Sequence, residues 1–179
     1  MNFKVIKYPL IAGAAAFLLF NLVGCVSIPK GVQAVKGFEK EKYLGKWYEI
    51  ARFDFKFEKN MKNVTAEYSQ NADGSIKVVN RGFNTKKNKW DEAVGKAKFV
   101  NEPTEARLKV SFFGPFYAGY NVVMMEPDYE NVLVMGNNTD YIWFLSRNKK
   151  MPEDVKQKFM QKAKDAGYDL SRLVWTEQD

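Results

Sequence analysis

Residues 46–53, KWYEIARF, begin a series of short runs rich in aromatic and β-branched side chains, and this series decides the fold. Turn-forming stretches separate the runs, such as NADG at 71–74 and TKKNK at 85–89. Runs of this kind at roughly regular spacing predict an antiparallel β-sandwich or barrel, and no long helical pattern interrupts them to suggest parallel βαβ units. The seven later runs are NVTAEYSQ, SIKVVNRGFN, WDEAVGKAKFV, ARLKVSFFG, GYNVVMMEP, NVLVMGN and YIWFLSRN.

The composition excludes several classes of function. The chain has 179 residues, of which 46% are hydrophobic and 15% aromatic, which suits one domain with a substantial core. It contains no histidine, so catalysis or metal binding through imidazole is excluded. Its single cysteine excludes an intrachain disulfide and a cysteine-rich zinc site, and we expect no metal and no cofactor bound in the fold.

A helix and a short strand are expected after the eight strands. Pro152 suits the first helical position, and Gly167 suits the C-terminal cap. Val155, Phe159, Ala163 and Ala166 share one face of this helix, which should pack on the sheet. Residues 172–177 are predicted to add a strand at a sheet edge. The predicted fold class is therefore all-β: an eight-stranded antiparallel up-and-down barrel with one C-terminal α-helix packed outside.

The first 24 residues have the layout of an export signal, with a basic start and an apolar stretch of about 15 residues, short for a transmembrane helix. The sequence LVGC at 22–25 resembles the lipobox of bacterial lipoproteins. That resemblance implies cleavage before Cys25, which would carry a diacylglycerol and an N-acyl chain. An uncleaved signal anchor is the alternative. We therefore expect a signal peptide at 1–24, a lipidated tether at 25–37 and a barrel domain at 38–179.

Strand alternation indicates which side chains line the barrel interior. Val64, Ala66 and Tyr68 share one face of the second strand, and the third strand places Ile76, Val78, Asn80 and Gly82 together. Tyr141, Trp143, Leu145 and Arg147 share a face of the eighth. If these faces point inward, the lumen is apolar with a few polar groups, and the small Ala66 and Gly82 leave space for a ligand.

Three motifs in order resemble the signatures of the lipocalin family. They are Gly45-Lys46-Trp47 at the first strand, Thr139-Asp140-Tyr141 before the eighth, and Arg147 after it. With the lipobox, the chain is most similar to bacterial outer-membrane lipocalins, and among animal lipocalins to those of the apolipoprotein D type. The resemblance implies a lipocalin barrel whose base is closed by a structural plug of Gly45, Trp47 and Arg147.

The resemblance also implies ligand contacts near the open end. Trp143 matches a pocket aromatic, Tyr117 lies in the match to a loop at the open end, and Asn121 is a weaker candidate. The expected ligand-binding residues are Tyr68, Asn80, Tyr117, Asn121, Tyr141 and Trp143. For each of them ordinary packing is the alternative. The stretch FDFKFE at 53–58 is a candidate lid over the mouth or a homodimer surface.

These features together predict a non-enzymatic, lipid-binding lipoprotein. It would hold or transport fatty acids or lysophospholipids, in membrane maintenance or stress, anchored at the periplasmic face of the outer membrane. Because Val26 is not aspartate, the analogy with retention signals favours that membrane over the inner one. We expect no nucleic-acid partner. The alternatives are a lipocalin-fold enzyme using a carboxylate such as Glu49, and a structural lipoprotein whose lumen is filled by its own side chains.

Overall fold

The computed structural model describes residues 26–55 and 58–179. The signal peptide at 1–24 and the lipidation residue Cys25 therefore lie outside the described residues. A short helix, α1 (Lys40–Tyr43), precedes the strands, and the long helix α2 (Glu153–Asp165) follows the eighth strand. The strands are β1 (Gly45–Phe53), β2 (Met61–Gln70), β3 (Ile76–Asn84), β4 (Lys89–Phe99), β5 (Arg107–Phe113), β6 (Phe116–Met125), β7 (Asn131–Met135), β8 (Ile142–Ser146) and β9 (Leu173–Trp175).

The first eight strands form a closed antiparallel barrel in which each strand pairs with its neighbours in sequence and β1 pairs with both β2 and β8. This confirms the predicted fold class, including the helix packed outside. The strand bounds differ from the predicted runs by one to three residues. At β6 the difference matters, because the strand begins at Phe116 and so takes in Tyr117, which was expected in a loop.

The C-terminal residues complete the wall between β1 and β2. These two strands pair only through Gly45–Tyr48 and then separate. The short strand β9 pairs with the outer half of β1, as predicted for a last strand at a sheet edge. Beyond it, the Gln178 side-chain amide donates to the main-chain oxygens of Glu49 (2.8 Å) and Val64 (2.9 Å), which bridges the gap.

The core has two layers, one on each face of the sheet. The inner layer fills the closed end of the barrel, and the outer layer lies under α2, where Val155, Phe159 and Ala163 are buried. Phe159 packs edge-on against Phe144 of β8, with ring centroids 5.6 Å apart. Pro152 is the N-cap of α2 and not its first residue, and Ala166 is the C-cap. The predicted amphipathic helix and its buried face are thus present.

The segment expected to be a tether packs against the barrel wall. Val32 and Ala34 are buried, and the Val35 main chain donates to Val122 of β6 and accepts from Ala106. The segment runs along the outer wall to Phe38, which is buried at the closed end. Within the described residues no helix is long and apolar enough to cross a membrane, and no cluster of three acidic or thiol groups is arranged to hold a metal ion.

Candidate ligand-binding lumen

The base of the barrel is sealed by stacked aromatic rings and one arginine. Trp47 is fully buried, and its indole N–H donates to the Tyr43 carbonyl at 2.9 Å. The Arg147 guanidinium lies over the Trp47 ring, 3.9 Å from its centroid. It also donates to the main-chain oxygens of Lys42 (2.7 Å), Leu44 (3.0 Å) and Lys46 (2.9 Å). Gly45 adopts a positive φ of 96° beside this side chain, a conformation that disfavours other residues. Gly45, Trp47 and Arg147 are therefore brought together at the base.

Above this base, three tyrosine hydroxyls form a hydrogen-bonded chain inside the barrel. The Tyr120 hydroxyl lies 2.5 Å from that of Tyr43 and 2.8 Å from that of Tyr68. Burial raises the pKa of each of these three phenols above its ordinary value. A phenol is neutral at physiological pH even with its ordinary pKa, and the shift strengthens this, so the closed half of the lumen is a filled, neutral floor.

The half of the lumen nearer the mouth is more open. Inward-facing Val78, Ala97 and Leu108, in the closed half, are buried. By contrast, the inward positions Asn80, Ala93, Ala118, Tyr120 and Trp143 retain accessible surface. The mouth is the end at which the β1–β2, β3–β4, β5–β6 and β7–β8 connections lie. A recess that a ligand enters from the mouth requires inward positions with accessible surface, and this half of the barrel has such positions.

A polar group is left unpaired in this open half. The Asn80 side-chain oxygen is buried yet has no hydrogen-bond partner among the described residues. Asn80 pairs with Ala93 on β4 and lies on the same face as Val78, so its side chain faces the lumen. Gly82, expected to leave space, does not: a Cβ there would lie 3.1 Å from Val64 and 3.4 Å from Met61. These two side chains already fill that position.

Four of the six expected ligand-binding residues lie in or at the lumen. Tyr68, Asn80 and Trp143 face inward, and Tyr141 lies at the mouth with its ring stacked on that of Trp143 (centroids 6.3 Å, interplanar angle 17°). Asn121 and Tyr117 lie on the outer face, because Ala118, Tyr120 and Val122 take the inward positions of β6. These two residues are therefore not part of the lumen.

Both outward residues have other neighbours. The Asn121 amide is fully buried and donates to the carbonyls of Met135 and Gly136, each at 3.1 Å, and to Ser27 at 3.3 Å. It thus holds the N-terminal segment against the wall. Tyr117 lies under the Lys109 ammonium group, 5.2 Å from the ring centroid. Tyr117 also borders an open recess of about 460 Å³ on the outer wall, which includes Lys77, Lys96 and Phe112.

A buried charged cluster that was not predicted from the sequence lies at the mouth. Glu49 and Arg52 are three residues apart, so a regular strand would turn them to opposite faces. A β-bulge between Glu49 and Ala51 brings both inward. Arg52 is only 1% exposed and donates to the Glu49 carboxylate (2.7 Å), to the Thr176 hydroxyl (2.9 Å) and to the Glu58 carbonyl (2.6 Å). No sequence pattern signals this bulge.

Glu58, on the β1–β2 connection, adds a second carboxylate to the cluster. It accepts the Trp143 indole N–H at 3.2 Å and lies 3.6 Å from the Arg52 Nε, which has no hydrogen-bond partner among the described residues. Burial, reinforced by the charge of Glu49, raises the pKa of Glu58 to about 8. Burial also raises the pKa of Glu49, although Arg52 opposes the shift. Two carboxyl groups and one arginine therefore share a largely buried site at the mouth.

The same connection covers the mouth aromatics. The Phe55 ring packs edge-on against Trp143 and Tyr141, with centroids 5.8 Å away in both cases. Phe53 behaves differently: it is 1% exposed and packs on Tyr168 in the outer layer, so it forms no surface patch. Phe57 lies outside the described residues. Phe55 and Glu58 are thus the described residues of the β1–β2 connection that contact Trp143.

The match to known proteins follows this architecture. Residues 38–178 match the family described as Lipocalin-like domain, so the chain belongs to the lipocalin family. An insect member of known structure, insecticyanin from Manduca sexta, superposes with a TM-score of 0.66 over 85% of this chain and 87% of its own, at 16% identity, which supports the fold alone.

Two bacterial relatives are similar over almost the whole sequence. The Outer membrane lipoprotein Blc of Vibrio cholerae is 48% identical over 170 residues, 92% of this chain and 98% of the relative. The Outer membrane lipoprotein Blc of Escherichia coli K12 is 45% identical over 170 residues, 95% of this chain and 96% of the relative. These names agree with the location expected from the lipobox resemblance.

Proposed function

We propose that this lipocalin is a lipid-binding lipoprotein of the outer membrane that holds or transports fatty acids or lysophospholipids in its lumen. The observation that carries the proposal is the contrast between the two halves of the barrel: inward positions are buried at the base but accessible near the mouth. A lumen filled throughout by its own side chains would bury both halves alike. The relatives named as outer membrane lipoproteins support the location.

An acyl chain would be bound chiefly by desolvation. Each methylene removed from water contributes ~0.8 kcal/mol, and the lumen offers aromatic and aliphatic walls to receive the chain. The chain would lie between Asn80 and Trp143, with its far end stopped by the hydrogen-bonded tyrosines above Trp47. Because these hydroxyls are neutral and satisfy one another, they close the floor without presenting a charge to the chain.

The head group would be held where Glu58 now lies. A ligand carboxylate or phosphate oxygen needs N–H donors and a positive charge, and both are present in the Trp143 indole and the Arg52 Nε. In the closed form the Glu58 carboxyl group occupies this place. We therefore propose that ligand entry moves Phe55 and Glu58 outward, and that the oxyanion of the ligand takes the place of the Glu58 carboxyl group beside Trp143 and the Arg52 Nε.

Anchoring through Cys25 completes the proposal. A diacylglycerol and an N-acyl chain on this residue would provide stable attachment, since each buried methylene adds ~0.8 kcal/mol. The protein would then serve maintenance of that membrane.

Catalysis by Glu49 is not part of the proposal. Its carboxylate accepts hydrogen bonds from Arg52 at 2.7 Å and from the Thr176 hydroxyl at 2.6 Å, so its role in the structure is to hold these two side chains.

The test is competitive binding of a fluorescent fatty acid to the full-length lipidated protein in detergent. Trp143→Ala should raise the dissociation constant about tenfold, which corresponds to ~1.4 kcal/mol, because it removes a wall of the lumen and one head-group donor. Trp90→Ala is the matched control, since Trp90 lies on the outer face, 47% exposed, and should bind as the wild type does. Equal affinities for all three proteins would refute the lumen as the binding site.

A further inference from the structure

The start of the described chain lies against the outer wall and reaches the β7–β8 connection: the Val26 carbonyl accepts from the Arg107 guanidinium at 2.8 Å. The Ser27 hydroxyl donates to the Asn137 carbonyl at 2.8 Å, and the Asn137 side chain accepts the Gly119 N–H at 2.7 Å. Asn137 belongs to the β7–β8 connection, which is one of the four connections at the mouth. Ser27 is the second residue after Cys25, and such a length of chain spans at most ~7 Å. A lipid on Cys25 would therefore enter its membrane beside the mouth.

Among the described residues, four of the five strongly exposed aromatic side chains lie at the mouth end, and the fifth, Trp175 of β9, lies on the outer wall. Phe113 and Phe116, on either side of the β5–β6 turn, are 71% and 79% exposed. Tyr141 before β8 and Trp90 near the start of β4 are 39% and 47% exposed. Large apolar groups at such exposure are costly in water and mark an interaction surface. These side chains are distributed around the mouth and are not confined to one side of the barrel. A flat partner can therefore contact several of them at once.

The charge at this end fits a phospholipid surface. Lys86, Lys87 and Lys89 lie in or next to the β3–β4 connection, and Lys59 lies in the β1–β2 connection. Lys87 and Lys89 share the single carboxylate of Asp91, which leaves this connection net positive. Lysines beside exposed aromatic rings are typical of segments that lie in the membrane interface, where the rings enter the acyl boundary and the ammonium groups meet anionic phosphates.

We infer that the mouth of the barrel docks directly on the bilayer that holds the lipid anchor, through Phe113, Phe116 and the β3–β4 lysines. The inference rests on the proposed lipidation of Cys25. Its consequence is that a lipid passes between the bilayer and the lumen without crossing water. The closed end, with α1 and the β2–β3 turn, then faces away from the membrane.

Site-specific quenching in vesicles tests this orientation on the full-length lipidated protein. Cys25 is the only cysteine of the chain, so Lys86→Cys at the mouth and Ala72→Cys in the β2–β3 turn each provide one site for a fluorophore. The vesicles contain phosphatidylglycerol and a phospholipid with a quencher near its head group. We expect the label at position 86 to be quenched about tenfold more efficiently than the label at position 72. Equal quenching, or stronger quenching at position 72, would overturn the inference.

A second variant separates this inference from ligand binding. Phe113→Ser combined with Phe116→Ser, introduced into the Lys86→Cys protein, should reduce quenching at position 86 while fatty-acid affinity in detergent stays unchanged. If the wild type binds no fatty acid but its label at position 86 is still quenched, the docking surface stands and the proposed function fails. If quenching at position 86 is unaffected by the two serines, these phenylalanines do not form the docking surface and the inference fails.

Discussion

Replacing Arg147 by alanine should remove more stability than its half-exposed position suggests. The side chain stacks on Trp47 at 3.9 Å and donates to the main-chain oxygens of Lys42, Tyr43, Leu44 and Lys46, where α1 ends and β1 begins. A cation–π contact of this kind is worth ~1 kcal/mol. Hydrogen bonds from a charged donor are worth ~1.5–3 kcal/mol each when buried, and we discount them because solvent reaches this site. The expected loss is ~2–4 kcal/mol.

The measurement is urea or thermal unfolding of the full-length protein in detergent, followed by circular dichroism. For a domain of this size the loss corresponds to a midpoint lowered by ~5–15 °C. Arg172→Ala is a matched control, because Arg172 also lies over a ring, Phe53 at 4.6 Å, but pairs only with the exposed Asp140. The control should cost at most ~1 kcal/mol. Equal losses for the two variants would refute the role assigned to the main-chain contacts of Arg147.

Three further outcomes are expected. Burial raises the Glu58 pKa from its ordinary value near 4.5 to about 8, so the folded state binds the extra proton and stability falls as pH rises between these values. The difference in unfolding midpoint between the wild type and Glu58→Gln should therefore shift against the wild type as the pH rises from about 5 to about 8. A difference that does not change with pH would contradict this. Phe159→Ala should cost ~3–5 kcal/mol in urea unfolding, because the ring is fully buried under α2, whereas a loss below ~1 kcal/mol would show that the helix is not part of the core. Gly119→Ala places a Cβ against the Asn137 side chain and 2.9 Å from the Ser27 carbonyl, so amide exchange at 26–35 should accelerate, and unchanged protection there would disprove this packing.

Much of the barrel was predictable because its local signals agree with one another. Turn residues separate the eight strands, and the inward faces of β2, β3 and β8 follow from simple alternation. The helix α2 follows from its apolar face and its capping residues. These predictions needed only periodicity over uninterrupted elements, which is the most dependable signal in a sequence.

The errors and omissions occur where periodicity breaks or where distant segments meet. Asn121 and Tyr117 were expected to bind the ligand, whereas the structure places both side chains on the outer face of β6, where Ala118, Tyr120 and Val122 take the inward positions. The buried cluster of Glu49, Arg52 and Glu58 was not predicted, because a bulge changes the phase of β1 and a loop returns over the mouth. Similarly, Gln178 bridges β1 and β2 from more than 100 residues away, for which no local pattern exists.

The central claim is that the open half of the lumen receives an acyl chain, and a crystal structure with a fatty acid brominated at its terminal carbon tests it most directly. The account predicts an anomalous bromine peak inside the barrel, above the Tyr120 hydroxyl and between Asn80 and Trp143. The same structure should show Glu58 displaced from Trp143 by the ligand carboxylate. A barrel with an occupied, unchanged interior and bromine found only on the outer wall, for example in the recess beside Tyr117, would contradict the account.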